Sequence, residues 1–249
     1  MIIIKNDKEI DLMRIAGRIV AETLLLVEKE VKPGITTAEL DRIAEEFITK
    51  HGAKPSFKGL YGFPASLCIS VNEQVVHGIP GGYVLKEGDI ISVDCGAHIN
   101  GFHGDAARTF AVGNISDEAK KLIKVTEESF FKGLEFAKIG NRLTDISHEI
   151  QRYVEASGFS VVREFVGHGI GKSVHEDPEV PNFGRPGRGP KLVASMALAI
   201  EPMVNMGTYR VATLGDDWTV VSADKSLSAH YENTVVILPD GPEILTLVK

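Results

Sequence analysis

Four carboxylates and one imidazole hold most of the chemical potential of this chain: Asp94, Asp105, His168, Glu201 and Glu232. The acids lie in runs that otherwise read as apolar strands: Ile90-Ile-Ser-Val-Asp94, Gly104-Asp105-Ala-Ala, Leu198-Ala-Ile-Glu201 and Tyr231-Glu232-Asn-Thr-Val-Val. A buried carboxylate is costly unless it is paired, hydrogen-bonded or bound to a metal. Singly, each acid is an ordinary ion pair or turn residue. Together with His168 they point to a cation site. A mostly carboxylate set with one imidazole fits Mn2+, Fe2+, Co2+ or catalytic Zn2+ better than structural zinc, which prefers Cys and His, or the all-oxygen sites of Mg2+ and Ca2+. Five ligand residues are too many for one tetrahedral ion, and bridging carboxylates let them hold two, as in two-metal hydrolases.

The elements that must position these groups follow from the pattern around them. Asn100-Gly101 between two strand-like runs is a two-residue hairpin signal. With that turn, Ile99 opposes Phe102 and Asp105 opposes Gly96. Asp94 shares the face of Gly96, so Asp94 and Asp105 become diagonal neighbours roughly 7 Å apart. Two carboxylates that close repel and raise one pKa. A cation between them removes the conflict, and the missing side chain at Gly96 is expected to leave room for it.

Helices frame this hairpin. Ile10, Met13, Gly17, Val20, Leu24, Val27 and Val31 form an amphipathic stripe, capped by Asn6 or Asp7 and ended by Pro33-Gly34. Thr36-Thr-Ala-Glu39 reads as a capping box opening a second helix that buries Leu40, Ile43, Ala44, Phe47 and Ile48 and stops at Gly52. A third helix starts near Ser116, and a fourth runs from about Leu143 to Ser157. The C-terminal third reads as strands and turns. A weak repeat links Gly34 with Gly140, Leu40 with Ile146, Phe47 with Tyr153 and Gly52 with Gly158, each pair 106 positions apart. An offset of 107 carries Val93-Asp94 onto Ile200-Glu201. One catalytic domain over 1–249 is expected, with similar halves at about 1–112 and 113–249 and a site between them.

Composition narrows the function classes. The 249 residues are 43% hydrophobic and 24% charged, ordinary for a globular chain. A net charge of −7 gives no basic footprint for gripping nucleic acid. Cys68 and Cys95 form no CxxC and no framework, which suits a reducing compartment. The N-terminus MIIIKNDKEIDLM lacks an apolar h-region and a small-residue cleavage site, so no signal peptide is expected, and no run has the length of a membrane span. A cytoplasmic location is expected. His77 and His175 carry no signal of their own beyond a histidine in an apolar stretch, and Gly167-His168-Gly-Ile-Gly171 lacks the spacing of a phosphate-binding fingerprint.

Nearly the whole chain resembles the type I methionine aminopeptidases. The matching stretches include Lys32-Pro33-Gly34, Cys68-Ile-Ser-Val-Asn72, Val76-His-Gly-Ile-Pro80, Gly101-Phe-His-Gly-Asp105, Val166-Gly-His-Gly-Ile-Gly171, His175-Glu-Asp-Pro178, Ala199-Ile-Glu-Pro-Met-Val204 and Trp218-Thr-Val. The resemblance implies an α+β pita-bread fold, two pseudo-symmetric halves of helices and antiparallel sheet around a dinuclear metal site. It implies two divalent ions (Fe2+, Co2+, Mn2+ or Zn2+) on Asp94, Asp105, His168, Glu201 and Glu232, with Glu201 also the base. It places substrate-contacting histidines at His77 and His175 and a methionine pocket at Phe57, Leu60, Phe63, Cys68, Val174 and Trp218. It implies removal of N-terminal methionine from nascent chains when the second residue is small, with transient contact at the ribosome and no membrane or specific nucleic-acid partner. Only 31 positions separate Glu201 from Glu232, which leaves no room for a type II insertion, so a short bacterial-type form is expected.

A proline-specific peptidase of the same fold would share the ligands but usually carries a further N-terminal domain. A metal-free peptide-binding module would have a broken ligand set, and here all five positions are intact. The chain departs from the family pattern at Asn233, where His is usual, and at Ser195, Val174 and Leu60. None of these removes a ligand.

Overall fold

A computed structural model describes residues 1–248. Among the described residues four α-helices pack against antiparallel sheets. Helix α1 (Asp7–Glu30) begins with a complete capping box in which Asn6 accepts from the Glu9 amide and the Glu9 carboxylate accepts from Asn6, each at 3.0 Å. Helix α2 (Thr37–Lys50) forms only half of its expected box. Thr36 accepts from the Glu39 amide at 3.2 Å, but the Glu39 side chain turns to Arg42 at 2.6 Å, where a full charge is the stronger partner. Leu40, Ala44 and Ile48 of α2 are buried, whereas Ile43 and Phe47 are only half-buried. Helices α3 (Asp117–Leu134) and α4 (Leu143–Ala156) start at Ser116 and Arg142.

The helix pairs dock through the same contacts 106 or 107 positions apart. Gly34 donates to Leu85 O and Gly140 to Leu192 O, and the bridges Thr36–Val84 and Arg142–Lys191 follow each. One buried core joins α1 and α2 to Leu67, Ile69, Ile91, Val93 and Cys95, and another joins α3 and α4 to Leu198, Ile200, Val235 and Ile237.

The hairpin of strands Ile90–Ile99 and Phe102–Ala111 has the register expected from its turn. Asn100 and Gly101 take φ of 53° and 82°, Ile99 faces Phe102, and Asp105 faces Gly96. Leu67–Val71 and Lys54–Pro55 flank this hairpin on the Ile90–Ile99 strand. The other large sheet has the order Gly241–Ile244, Asn233–Leu238, Ala197–Ile200, Gly167–Gly169, Glu176–Val180. The two sheets meet where Glu232 N donates to Ala107 O at 3.0 Å and Asp105 N donates to Thr234 Oγ1, also at 3.0 Å.

Helix α1 lies directly on the hairpin backbone. A Cβ on Gly104 would stand 2.7 Å from Gly17 N and 2.8 Å from its Cα, both rigid main chain. Gly104→Ala is therefore expected to cost roughly 1–3 kcal/mol through overpacking. At Gly101 a Cβ meets nothing within 4 Å, and Ala costs only its positive φ, about 1 kcal/mol. Thermal melts of the two variants check the order, and equal shifts would contradict the close approach of α1.

Candidate metal centre

The five side chains singled out above are brought together at the base of one cleft. Asp94 and Asp105 project from the hairpin, and His168 from the middle of Gly167–Gly169, opposite Ala199. Glu201 and Glu232 sit where the chain changes sheets. Strand Ala197–Ile200 ends just before Glu201, and Met203–Asn205 then pairs in a different sheet with Ser228–His230. The return crosses at Tyr231-Glu232 into Asn233–Leu238, whose Asn233 faces Ile200. Both glutamates thus leave regular pairing at the same level, and other groups fix their backbones. Asn182 Nδ2 donates to Glu201 O at 3.0 Å, and Arg108 Nη1 donates to Glu232 O at 2.5 Å. Arg108 Nη2 donates to Asn233 Oδ1 at 2.7 Å, so the asparagine that departs from the family pattern serves as an acceptor in this support.

The electrostatics call for a cation. Asp94 Oδ1, Asp105 Oδ1 and Glu232 Oε1 are buried and have no hydrogen-bond partner. Burial pushes Asp94 up to about 7, with His230 opposing and Glu201 adding to the rise. Burial also raises Asp105, Glu201 and Glu232 well above the carboxylate range, and neighbouring carboxylates raise Asp105 and Glu232 further. His168 is pushed down to about 4 by burial, which leaves a neutral imidazole. Its Nδ1 lies 2.9 Å from Gly169 O and donates there, so Nε2 keeps a lone pair facing the acids. Nε2 is 3.5 Å from Glu201 Oε1 and 3.9 Å from Asp105 Oδ2. Orphaned oxygens, a neutral nitrogen and atoms of Asp105, His168 and Glu232 within 4.8 Å of one another fit divalent ions.

The expected room at Gly96 serves a different neighbour. A Cβ there would lie 2.7 Å from Ser56 Cβ and 2.9 Å from Phe57 Cε1. The glycine admits the Ser56-Phe57 turn, and so seats Phe57 beside the acids.

The cleft above the acids encloses about 680 Å3. Phe57, Leu60, Phe63, Cys68 and Trp218 line it, while Val174 is buried in the same apolar cluster without reaching the lining. His77 stands edge-on to Phe165, with ring centroids 5.5 Å apart, and takes a left-handed φ of 59°. His175 stands edge-on to His168 at 4.6 Å and stacks on Tyr61 at 5.8 Å. Burial lowers His77 to about 4 and also lowers His175. Tyr61, Phe165, Met203 and His230 escaped the sequence reading. For His230 a signal existed, since alternation puts it on the side of Glu232.

Comparisons with known proteins agree with this geometry. Residues 11–239 match the model of metallopeptidase family M24. The chain is 78% identical to a methionine aminopeptidase of Clostridium perfringens and 60% identical to methionine aminopeptidase 1 of Bacillus subtilis, with full coverage of both chains in each case. The crystal structure of the Thermotoga maritima methionine aminopeptidase superposes with a TM-score of 0.98 at 47% identity, covering all of both chains. A prolidase from Pyrococcus furiosus shares the fold alone, at 22% identity and TM-score 0.82, over 99% of this chain and 66% of its own.

Without metal, Asp94 binds its proton more tightly folded than unfolded. That contribution is full below about pH 4 and is lost as pH rises towards about 7. A bound cation displaces the proton, so affinity for Co2+ should climb between about pH 5.5 and 7.5, with proton release on binding. Titration calorimetry in buffers of different ionisation enthalpy measures both; flat affinity without proton release would remove the carboxylates as ligands.

Proposed function

The chain belongs to metallopeptidase family M24 and acts as a methionyl aminopeptidase of pita-bread fold, and we propose that its converging acids and histidines divide that reaction as follows. Asp94, Asp105, His168, Glu201 and Glu232 hold two divalent ions (Fe2+, Co2+, Mn2+ or Zn2+), which supply Lewis acidity and a water of lowered pKa. Glu201 accepts a proton from the attacking water and passes it to the leaving amine. The free N-terminal amine of the substrate sits at the Asp94–Asp105 end. His77 contacts the scissile amide nitrogen, and His175 donates to the carbonyl oxygen as negative charge develops there. The first side chain enters the pocket of Phe57, Leu60, Phe63, Cys68 and Trp218, backed by Val174, an apolar lining suited to an unbranched thioether.

The observation that carries this reading is the cluster of orphaned carboxylate oxygens at the closed base of a cleft with apolar walls. The pocket and the acids lie side by side, so a second residue with a bulky side chain would push the carbonyl off line. Misplacement of this kind costs on the order of a hundredfold. The halves at about 1–112 and 113–249 act as one catalytic domain, each giving acids to the site. The working location is the cytoplasm, with nascent chains met transiently at the ribosome. No helix among the described residues is long and apolar enough to cross a membrane.

With equal metal loading, kcat/KM should be high for Met-Ala-Ser and low for Met-Leu-Ser, Leu-Ala-Ser and formyl-Met-Ala-Ser. Comparable values for the first two peptides would defeat the steric account.

Residue roles separate in a second series. His77→Ala and His175→Ala should keep metal and lose rate, whereas Asp105→Ala and His168→Ala should lose both by elemental analysis. Glu201→Gln should slow turnover by roughly a hundred- to ten-thousand-fold. If it keeps over half of the wild-type kcat, another group is the base.

A further inference from the structure

A sixth side chain with ligand chemistry faces the cage of acids. His230 ends the strand Ser228–His230, is 2% exposed, and its Nε2 has no hydrogen-bond partner. A buried polar nitrogen left unpaired is costly and calls for an explanation. Nε2 lies 3.6 Å from Glu201 Oε2 and 3.9 Å from Glu232 Oε2, beyond hydrogen-bond length to either.

These distances mirror those on the opposite side. His168 Nε2 is 3.5 Å from Glu201 Oε1, so Glu201 turns one oxygen towards each imidazole. Two sets of atoms each lie within 4.8 Å of one another: Asp105, His168 and Glu232, and Glu201, His230 and Glu232. Donors about 2.1 Å from one ion stand roughly 3.0–3.4 Å apart. The geometry that admits His168 as a ligand therefore admits His230 after a comparable contraction, roughly 0.2–0.9 Å from the separations of 3.6 and 3.9 Å.

His230 also lines a separate cavity of about 320 Å3, whose walls mix apolar side chains with Glu28, Arg108, Thr109 and Glu127. Water held by the polar groups of that cavity can partner the second ring nitrogen, as metal-bound imidazoles require.

We infer that His230 is a sixth metal-ligating residue, giving the ion beside Glu201 and Glu232 an imidazole of its own opposite His168. The inference rests on the proposed ligand roles of those acids. It adds a nitrogen donor to an oxygen-rich site, which favours Co2+, Fe2+ or Zn2+ over Mn2+.

The Co2+-loaded wild-type protein should show two paramagnetically shifted imidazole N–H proton resonances, one from each ligating histidine. His230→Gln should remove one of them. By calorimetry on the metal-free variant, one Co2+ equivalent should weaken by about tenfold or more while the other stays within twofold of wild type. A single shifted resonance in the wild type would overturn the inference, as would unchanged binding and visible spectrum in His230→Gln. The His168→Ala protein serves as the control. If it binds both equivalents with wild-type affinity, the five-residue site itself is misassigned, whatever His230 does.

Discussion

The mutual repulsion of four carboxylates withdrawn from water is the constraint to which the rest of the molecule answers. Burial alone pushes each of them towards protonation, and their neighbours make matters worse for Asp105 and Glu232. A chain that keeps such a cluster must hold it by backbone means that do not depend on the acids finding partners. The hairpin register fixes two of them, and the paired strand breaks fix the other two. Arg108 and Asn182 then hold the main chain at those breaks, and the carboxylates stay free to face inward. Arg108 lies stacked over Tyr231, with its charge spread over main-chain and amide oxygens. Its donors go to main-chain oxygens and to the Asn233 amide, and the carboxylate oxygens are left open to a cation.

The same arrangement divides the labour of the cleft. Charge collects at its base, where paired strands give rigid placement; aromatic groups form the wall from a 3-10 turn and nearby loops, and the sulfurs of Cys68 and Met203 join them from strands. Neutral histidines suit this setting. Protonated imidazoles would repel the ions the acids attract, and burial keeps His77, His168 and His230 neutral. Each can then donate one N–H or offer one lone pair, which is the requirement both for polarising a carbonyl and for binding metal.

Much of this was legible in the sequence because the strongest local signals happened to sit beside the chemistry. Asn100-Gly101 fixes a register with no tertiary input, and that register alone sets Asp105 opposite Gly96. What the sequence could not supply was the third dimension around each position. Gly96 looked like space for an ion and is the seat of Ser56 and Phe57, a contact between segments far apart in the chain. The half-formed capping box at Thr36 reflects competition from Arg42, which lies on the exposed face where a charge pair wins. Tyr61 reaches the cleft from a single 3-10 turn and Phe165 from a loop, neither with periodicity, so no pattern announces them. His230 was within reach by strand alternation, but the break between His230 and Asn233 interrupts the run that would have drawn attention to it.

The contact between Gly17 and Gly104 bears on how the molecule breathes. Backbone meets backbone there, with no side chain able to swing aside, so α1 and the hairpin cannot part by a local rearrangement. Amide protons of the strand beyond Gly104 are also covered from the other side by Thr234 and Glu232. Exchange of these amides with solvent deuterium must wait for global opening, whereas the wall around Tyr61 can exchange through small local excursions. Asp105 therefore sits in the last part of the protein to open. The placement of its carboxylate beside Glu232 therefore outlasts local excursions of the cleft wall.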